Sequence, residues 1–187
     1  MALILFNKPY DVLCQFSGSD KRKTLADYID VPDVYPAGRL DADSEGLMLL
    51  TDSGKLQHQV SHPLHKQAKT YMIQVEGEPT QKQLLQLAGS IDLGDFITLP
   101  CVVKHILPPD WIWLRTPAVR TRKNIPTSWL LLSVTEGKNR QIRRMSAAVN
   151  LPTLRLIRIG IAEFSLEKNP LMPGEWMYVQ ATQLLNK

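Results

Sequence analysis

Apolar residues in this chain come in short runs that turn formers soon cut off, and that pattern limits what it can fold into. Six runs stand out: ALILF from Ala2, LMLL from Leu47, TYMIQVEG from Thr70, TSWLLLSVT from Thr127, TLRLIRIG from Thr153 and EWMYVQ from Glu175. Their lengths and their β-branched, aromatic and aliphatic content are those of strands. Two helices are predicted. One starts at Thr80, where Thr80-x-x-Gln83 forms a capping box ahead of Leu84, Leu85 and Leu87; the other runs from about Asn139 to Val149. The sum is an α+β chain with a mixed, mostly antiparallel sheet. Its least regular stretch is Pro108 to Pro126, which holds Trp111, Trp113, Arg115, Arg120, Arg122 and Lys123.

With 187 residues and 44% apolar content the chain can bury a core as one domain or a tight pair of sub-domains. No apolar run approaches the ~18 residues of a membrane span. The opening MALILFNKPY has neither the basic leader nor the small-residue cleavage site of a signal peptide, so a cytoplasmic protein with no membrane partner is expected. Cys14 and Cys101 form no CxxC pair and are expected to be core thiols in a reducing compartment. The net charge of +4 conceals an asymmetry: residues 115–158 carry ten of the 22 Lys and Arg residues against Glu136 alone. A local excess of that size points to a polyanionic partner. With no sustained heptad or apolar stripe, a monomer is expected.

Within the basic region, a helical projection puts Arg140, Arg143 and Arg144 on one face and Ile142, Met145 and Val149 opposite. Three crowded guanidinium groups repel one another unless phosphates or a carboxylate neutralise them. Elsewhere GRLDADSEGLMLLTDSG, Gly38 to Gly54, places Asp41, Asp43 and Glu45 at alternate positions beside Arg39. Their spacing suits the first places of a calcium loop, but Pro32, Pro36 and Gly38 interrupt the helix that should precede it, and the closing bidentate Glu is missing. His58, His62 and His65 lack a partner that would complete a metal set, and TEGKNR lacks the spacing of a phosphate loop. No metal and no nucleotide cofactor are expected. What remains is one carboxylate acting as nucleophile or base, kept ionised by an arginine, which lowers an Asp pKa by roughly one to three units.

The segment GRLDADSEGLMLLTDSG resembles the catalytic segment of the RsuA family of pseudouridine synthases, whose pattern is GRLD, two variable residues, then S/T-E-G-L. AKTYMIQVEG is similar to the family's K-x-Y strand, VTEGKNRQIRRM to its third motif, and LRLIRIG followed by PGEW to its closing segment. These motifs keep the family order and span the chain from Lys8-Pro9 to Trp176. The resemblance implies the pseudouridine synthase fold, a mostly antiparallel mixed sheet with a central RNA-binding cleft flanked by helices and loops. It implies one catalytic domain over residues 1–187, built of two sub-domains, without the S4 module that often precedes it.

By the same resemblance Asp41 is the catalytic aspartate, Arg143 its ion-pair partner, and Tyr71 the ring that stacks on the target base. Arg39 occupies the place where the family's GRLD arginine approaches the RNA. Lys138, Arg140 and Arg144, with Arg120, Arg122 and Lys123 of the irregular stretch, are the expected RNA-binding set. The implied reaction converts a uridine of ribosomal RNA, from the 23S molecule or a pre-ribosomal particle, to pseudouridine. It needs no cofactor, because nothing leaves and nothing is oxidised. A non-catalytic RNA-binding or ribosome-assembly protein is the rival expectation.

Overall fold

The computed structural model describes residues 1–18, 21–62, 67–120 and 122–180. In chain order its elements are β1 (Leu3–Lys8), β2 (Tyr35–Pro36), β3 (Glu45–Thr51), α1 (Gly54–Ser61), β4 (Lys69–Glu76), α2 (Gln81–Ala88), β5 (Val102–Ile106), β6 (Thr127–Val134), α3 (Gln141–Ala148), β7 (Thr153–Ile161), β8 (Phe164–Ser165) and β9 (Trp176–Tyr178). All six predicted strands form, as β1, β3, β4, β6, β7 and β9. They gather into two compact units: one holds residues up to Gln67 and again from Arg158, the other Ala68–Ile157.

In the first unit β1 lies between β3 and β9 and is antiparallel to both. Its register with β3 runs from Leu3 opposite Thr51 to Lys8 opposite Gly46. Every residue of β1 and β3 is buried, which is why both read as continuous apolar runs rather than alternating ones. Each fully buried leucine or isoleucine there contributes about 1.5–3 kcal/mol. Among the polar exceptions, the Asn7 side-chain amide donates to the Leu171 carbonyl at 2.7 Å and the Thr51 hydroxyl to that of Ala2 at 2.7 Å. After β3 comes α1, a helix additional to the two predicted. Ser53 is its N-cap, accepting from the Leu56 amide, and Leu56 and Val60 seat its buried face. The helix stops before Pro63, as the residue preceding a proline avoids helical geometry.

In the second unit β6 lies between β4 and β5, antiparallel to each. Strict alternation of buried and half-buried residues along β6 gives this sheet one core face. Both bonds of the predicted capping box are present at α2, Thr80 hydroxyl with Gln83 amide and Gln83 side chain with Thr80 amide. The strand β5 was not anticipated. It is an edge strand with Val102, Lys104 and His105 exposed, so it carries no apolar run to betray it. The helix α3 starts two residues later than predicted, because Arg140 takes the left-handed conformation (φ 49°) at its N-cap.

Candidate active site

Asp41 heads a tight turn between β2 and β3, closed by the Ser44 amide donating to the Asp41 carbonyl at 3.1 Å. Its side chain is half-buried, while Leu40 before it and Ser44 after it are buried. The turn is gripped from the core side. The Leu40 amide donates to Cys14 Sγ at 3.3 Å, and the Ala42 carbonyl accepts from the Asp11 amide at 2.8 Å and from Lys8 Nζ at 3.3 Å. Arg158 completes the clamp: Nε donates to the Leu47 carbonyl at 2.7 Å and Nη1 to that of Arg39 at 3.4 Å, so one buried guanidinium brackets the segment on both sides of Asp41. The strand carrying Arg158 passes so close that a Cβ on Gly46 (φ 107°) would sit 2.2 Å from the Arg158 carbonyl oxygen. Only glycine fits there.

Lys8 is fully buried and also donates to the carbonyls of Pro9 at 2.8 Å and Val12 at 2.9 Å. Burial lowers its pKa to about 8, against the opposing pull of Cys14, Glu45, Asp43 and Asp11. Two of the three acids at alternate positions, Asp43 and Glu45, thus favour the charged form of the buried Lys8. The folded chain sheds the Lys8 proton near pH 8 while the unfolded chain holds it to 10.5. Between those values the unfolded state binds more protons, so this group makes stability rise with pH. Urea titrations from pH 7 to 10 are expected to show that rise in the wild type and not in Lys8→Met; parallel curves would mean another group titrates.

The other predicted residues lie in the second unit, apart from Arg39, which is exposed in the first. Tyr71 is buried in β4 opposite Leu132 of β6. Arg143, half-buried on α3, donates from Nη1 to the Thr153 carbonyl at 3.3 Å. Arg144 meets a carboxylate of its own chain: Nη1 reaches Asp95 Oδ2 at 3.1 Å, Nη2 bonds Asp95 Oδ1, and Nη2 donates to the Leu93 carbonyl at 2.7 Å. This pair holds the Asp95 carboxyl below its ordinary value and raises that of Arg144. Arg144 and Lys138 both stand over the Phe96 ring, at 5.2 and 5.8 Å from its centroid. Arg140, Arg120 and Lys123 are exposed, and Arg122 pairs with Glu76 at 3.1 Å while staying largely in solvent.

The loop before α3 is braced by Glu136, whose Oε2 accepts from the Leu99 amide at 2.9 Å and from Gln141 Nε2 at 2.8 Å. Cys14 and Cys101 are free thiols, and burial pushes Cys101 up to about 11. The rings of His58 and His62 stack at 4.3 Å, and His65 lies outside the described residues. Where a calcium loop would continue into a helix, Glu45 instead opens a strand.

Residues 2–148 match the family described as RNA pseudouridylate synthase. The chain belongs to that family. Its members isomerise uridine in RNA to pseudouridine, and this chain is such an isomerase, of the RsuA type. It is 52% identical to ribosomal large subunit pseudouridine synthase E of Vibrio parahaemolyticus, over 95% of this chain and 74% of that protein. It is 51% identical to the enzyme of the same name from Xanthomonas campestris, over 93% of each. A crystal structure of a pseudouridylate synthase superposes with a TM-score of 0.78 at 26% identity, covering 98% of this chain and 72% of that one. The fold is therefore the pseudouridine synthase fold. Lys8 and Arg158 were missed as parts of the site by sequence reasoning. A lysine ending an apolar run and an arginine inside LRLIRIG are the signals that could have found them, since a buried charge within a strand needs partners.

Proposed function

We propose that this enzyme converts a uridine of large-subunit ribosomal RNA to pseudouridine, with Asp41 as the acting carboxylate. The observation that carries the assignment is the clamp: four residues, Cys14, Asp11, Lys8 and Arg158, hold the backbone at Arg39, Leu40 and Ala42, on either side of a half-buried Asp41 side chain. Fixing the main chain around a reactive carboxylate sets the point from which its side chain projects. The names of the large-subunit relatives support the substrate. The N1 to C1′ bond breaks, the uracil turns, C5 bonds to C1′, and the C5 proton is lost as N1 gains one, so the formula is unchanged. Asp41 serves by covalent attack or by removing a sugar proton, and either route requires it ionised.

The uridine must first leave its stack, at a cost of a few kcal/mol that phosphate contacts and stacking on Tyr71 offset. Arg39, Lys138, Arg140, Arg120, Arg122 and Lys123 supply phosphate contacts in this reading, and Arg144 joins them where a phosphate displaces Asp95. Arg143 serves as the counter-ion of Asp41. Its replacement by Ala is expected to lower turnover about tenfold, measured by tritium release from C5-labelled uridine, with the fold retained. Wild-type turnover by the folded variant would remove Arg143 from that role. The working unit is a monomer in the cytoplasm.

Mapping pseudouridine in ribosomal RNA from cells with and without the gene tests the whole assignment. Loss of a large-subunit site is expected, and an unchanged map overturns it.

A further inference from the structure

The described part of the stretch from Leu107 to Pro126 is irregular yet firmly rooted. Trp113 is buried, its carbonyl accepts from Arg155 Nη1 at 3.0 Å, and the Arg155 guanidinium, itself 5% exposed, stands 5.7 Å from the Trp113 ring and 6.0 Å from that of Trp129. A buried guanidinium held between two indoles is a rigid root. Arg115 braces the next turn from inside, with Nε donating to the Pro117 carbonyl at 2.8 Å and Nη2 to that of Ala118 at 3.1 Å. Arg122 ties the returning limb of the loop to Glu76 of β4 at 3.1 Å.

What this anchored backbone holds out is apolar. Leu107 is 89% exposed, Leu114 96% and Trp111 39%. One exposed leucine is ordinary on a protein surface. Here three large apolar groups crown an eight-residue stretch, and Leu114 sits directly between buried Trp113 and braced Arg115, so local collapse cannot hide it. The same stretch is cationic in sequence, with Arg115, Arg120, Arg122 and Lys123 against Asp110 alone. Exposed apolar side chains and exposed cations carried on one stretch match the chemistry of RNA, in which charged phosphates alternate with apolar base faces.

We propose that this stretch is an RNA-reading arm, in which Leu114 wedges between neighbouring bases of the substrate RNA, Trp111 stacks on an unpaired base, and Arg120 and Lys123 take the phosphates. The proposal rests on the reading that the substrate is RNA and is independent of the role of Asp41.

The two kinds of contact differ in their response to salt. Phosphate contacts release counterions and set the slope of log affinity against log salt, whereas a wedge releases none. Affinity of the full chain for a fluorescein-labelled uridine-rich 20-mer and for a stem-loop RNA would be measured at several salt concentrations. Leu114→Ala is expected to weaken binding about tenfold at every salt concentration with the slope unchanged. Arg120→Ala and Lys123→Ala are expected to make the slope shallower by about one each. In a stem-loop carrying 2-aminopurine, the wild type raises fluorescence by unstacking the base and Leu114→Ala does not. Wild-type affinity in Leu114→Ala, or a changed slope, overturns the wedge while leaving the RNA substrate intact. Failure of the wild type to bind either RNA overturns both.

Discussion

Asp41→Asn is expected to abolish pseudouridine formation, lowering turnover on the order of 10⁴-fold or more, while leaving fold and RNA affinity at wild-type values. The replacement is nearly isosteric, and the turn is held by backbone bonds and by side chains other than that of Asp41: the Ser44 amide on the Asp41 carbonyl, Cys14 on Leu40, Lys8 and Asp11 on Ala42, Arg158 on Arg39. What changes is the chemistry, since a carboxamide at neutral pH is neither a base nor a useful nucleophile. Release of tritium from C5-labelled uridine in transcribed ribosomal RNA reads turnover directly, and a binding titration on the same sample reads affinity. Substantial turnover by a variant whose substitution is verified by mass spectrometry would remove Asp41 from the reaction. Loss of binding together with turnover would mean that the carboxylate supports the loop rather than the chemistry.

The elements that were legible in the sequence are those whose burial leaves a continuous or alternating apolar trace. β1 and β3 are buried along their whole length, and β6 alternates, so each announced itself. The elements that were not legible lack that trace. β5 is an edge strand whose residues mostly face solvent, and α1 begins with residues that serve equally as a turn or as an N-cap, a choice made only once Leu56 and Val60 find a core to enter. The same distinction runs through the site. Asp41 was singled out by the long ordered motif of its segment, not by an apolar trace. Lys8 and Arg158 act through backbone carbonyls of distant residues, and a carbonyl partner leaves no mark on the sequence. Arg144 shows the converse: its pattern called for a negative partner, and the partner present is Asp95, 49 positions away.

Arg158→Ala is expected to carry the second-largest effect, on turnover more than on affinity. The guanidinium contacts the main chain both before and after Asp41, at Arg39 and at Leu47. Its removal leaves the buried Leu47 carbonyl without its charged donor, at a cost of about 1–3 kcal/mol, loses the part-buried bond to Arg39, and opens a cavity beside β3. A net destabilisation of about 2–4 kcal/mol follows from the lost charged hydrogen bonds and the cavity together. The turn then drifts relative to the strand that supports it, and a displacement of about 1 Å at a reacting group costs roughly 10²-fold in rate. Affinity is expected to stay within about twofold, because the exposed cations of the second unit do not depend on this bond. Arg158→Lys retains the charge but cannot fork to two carbonyls, so it should restore stability in part and turnover little. Free guanidine added to the alanine variant should recover turnover if geometry was the loss. A variant that remains folded, with wild-type turnover, would show that the turn holds Asp41 in place without Arg158, leaving Lys8 and Cys14 as sufficient supports.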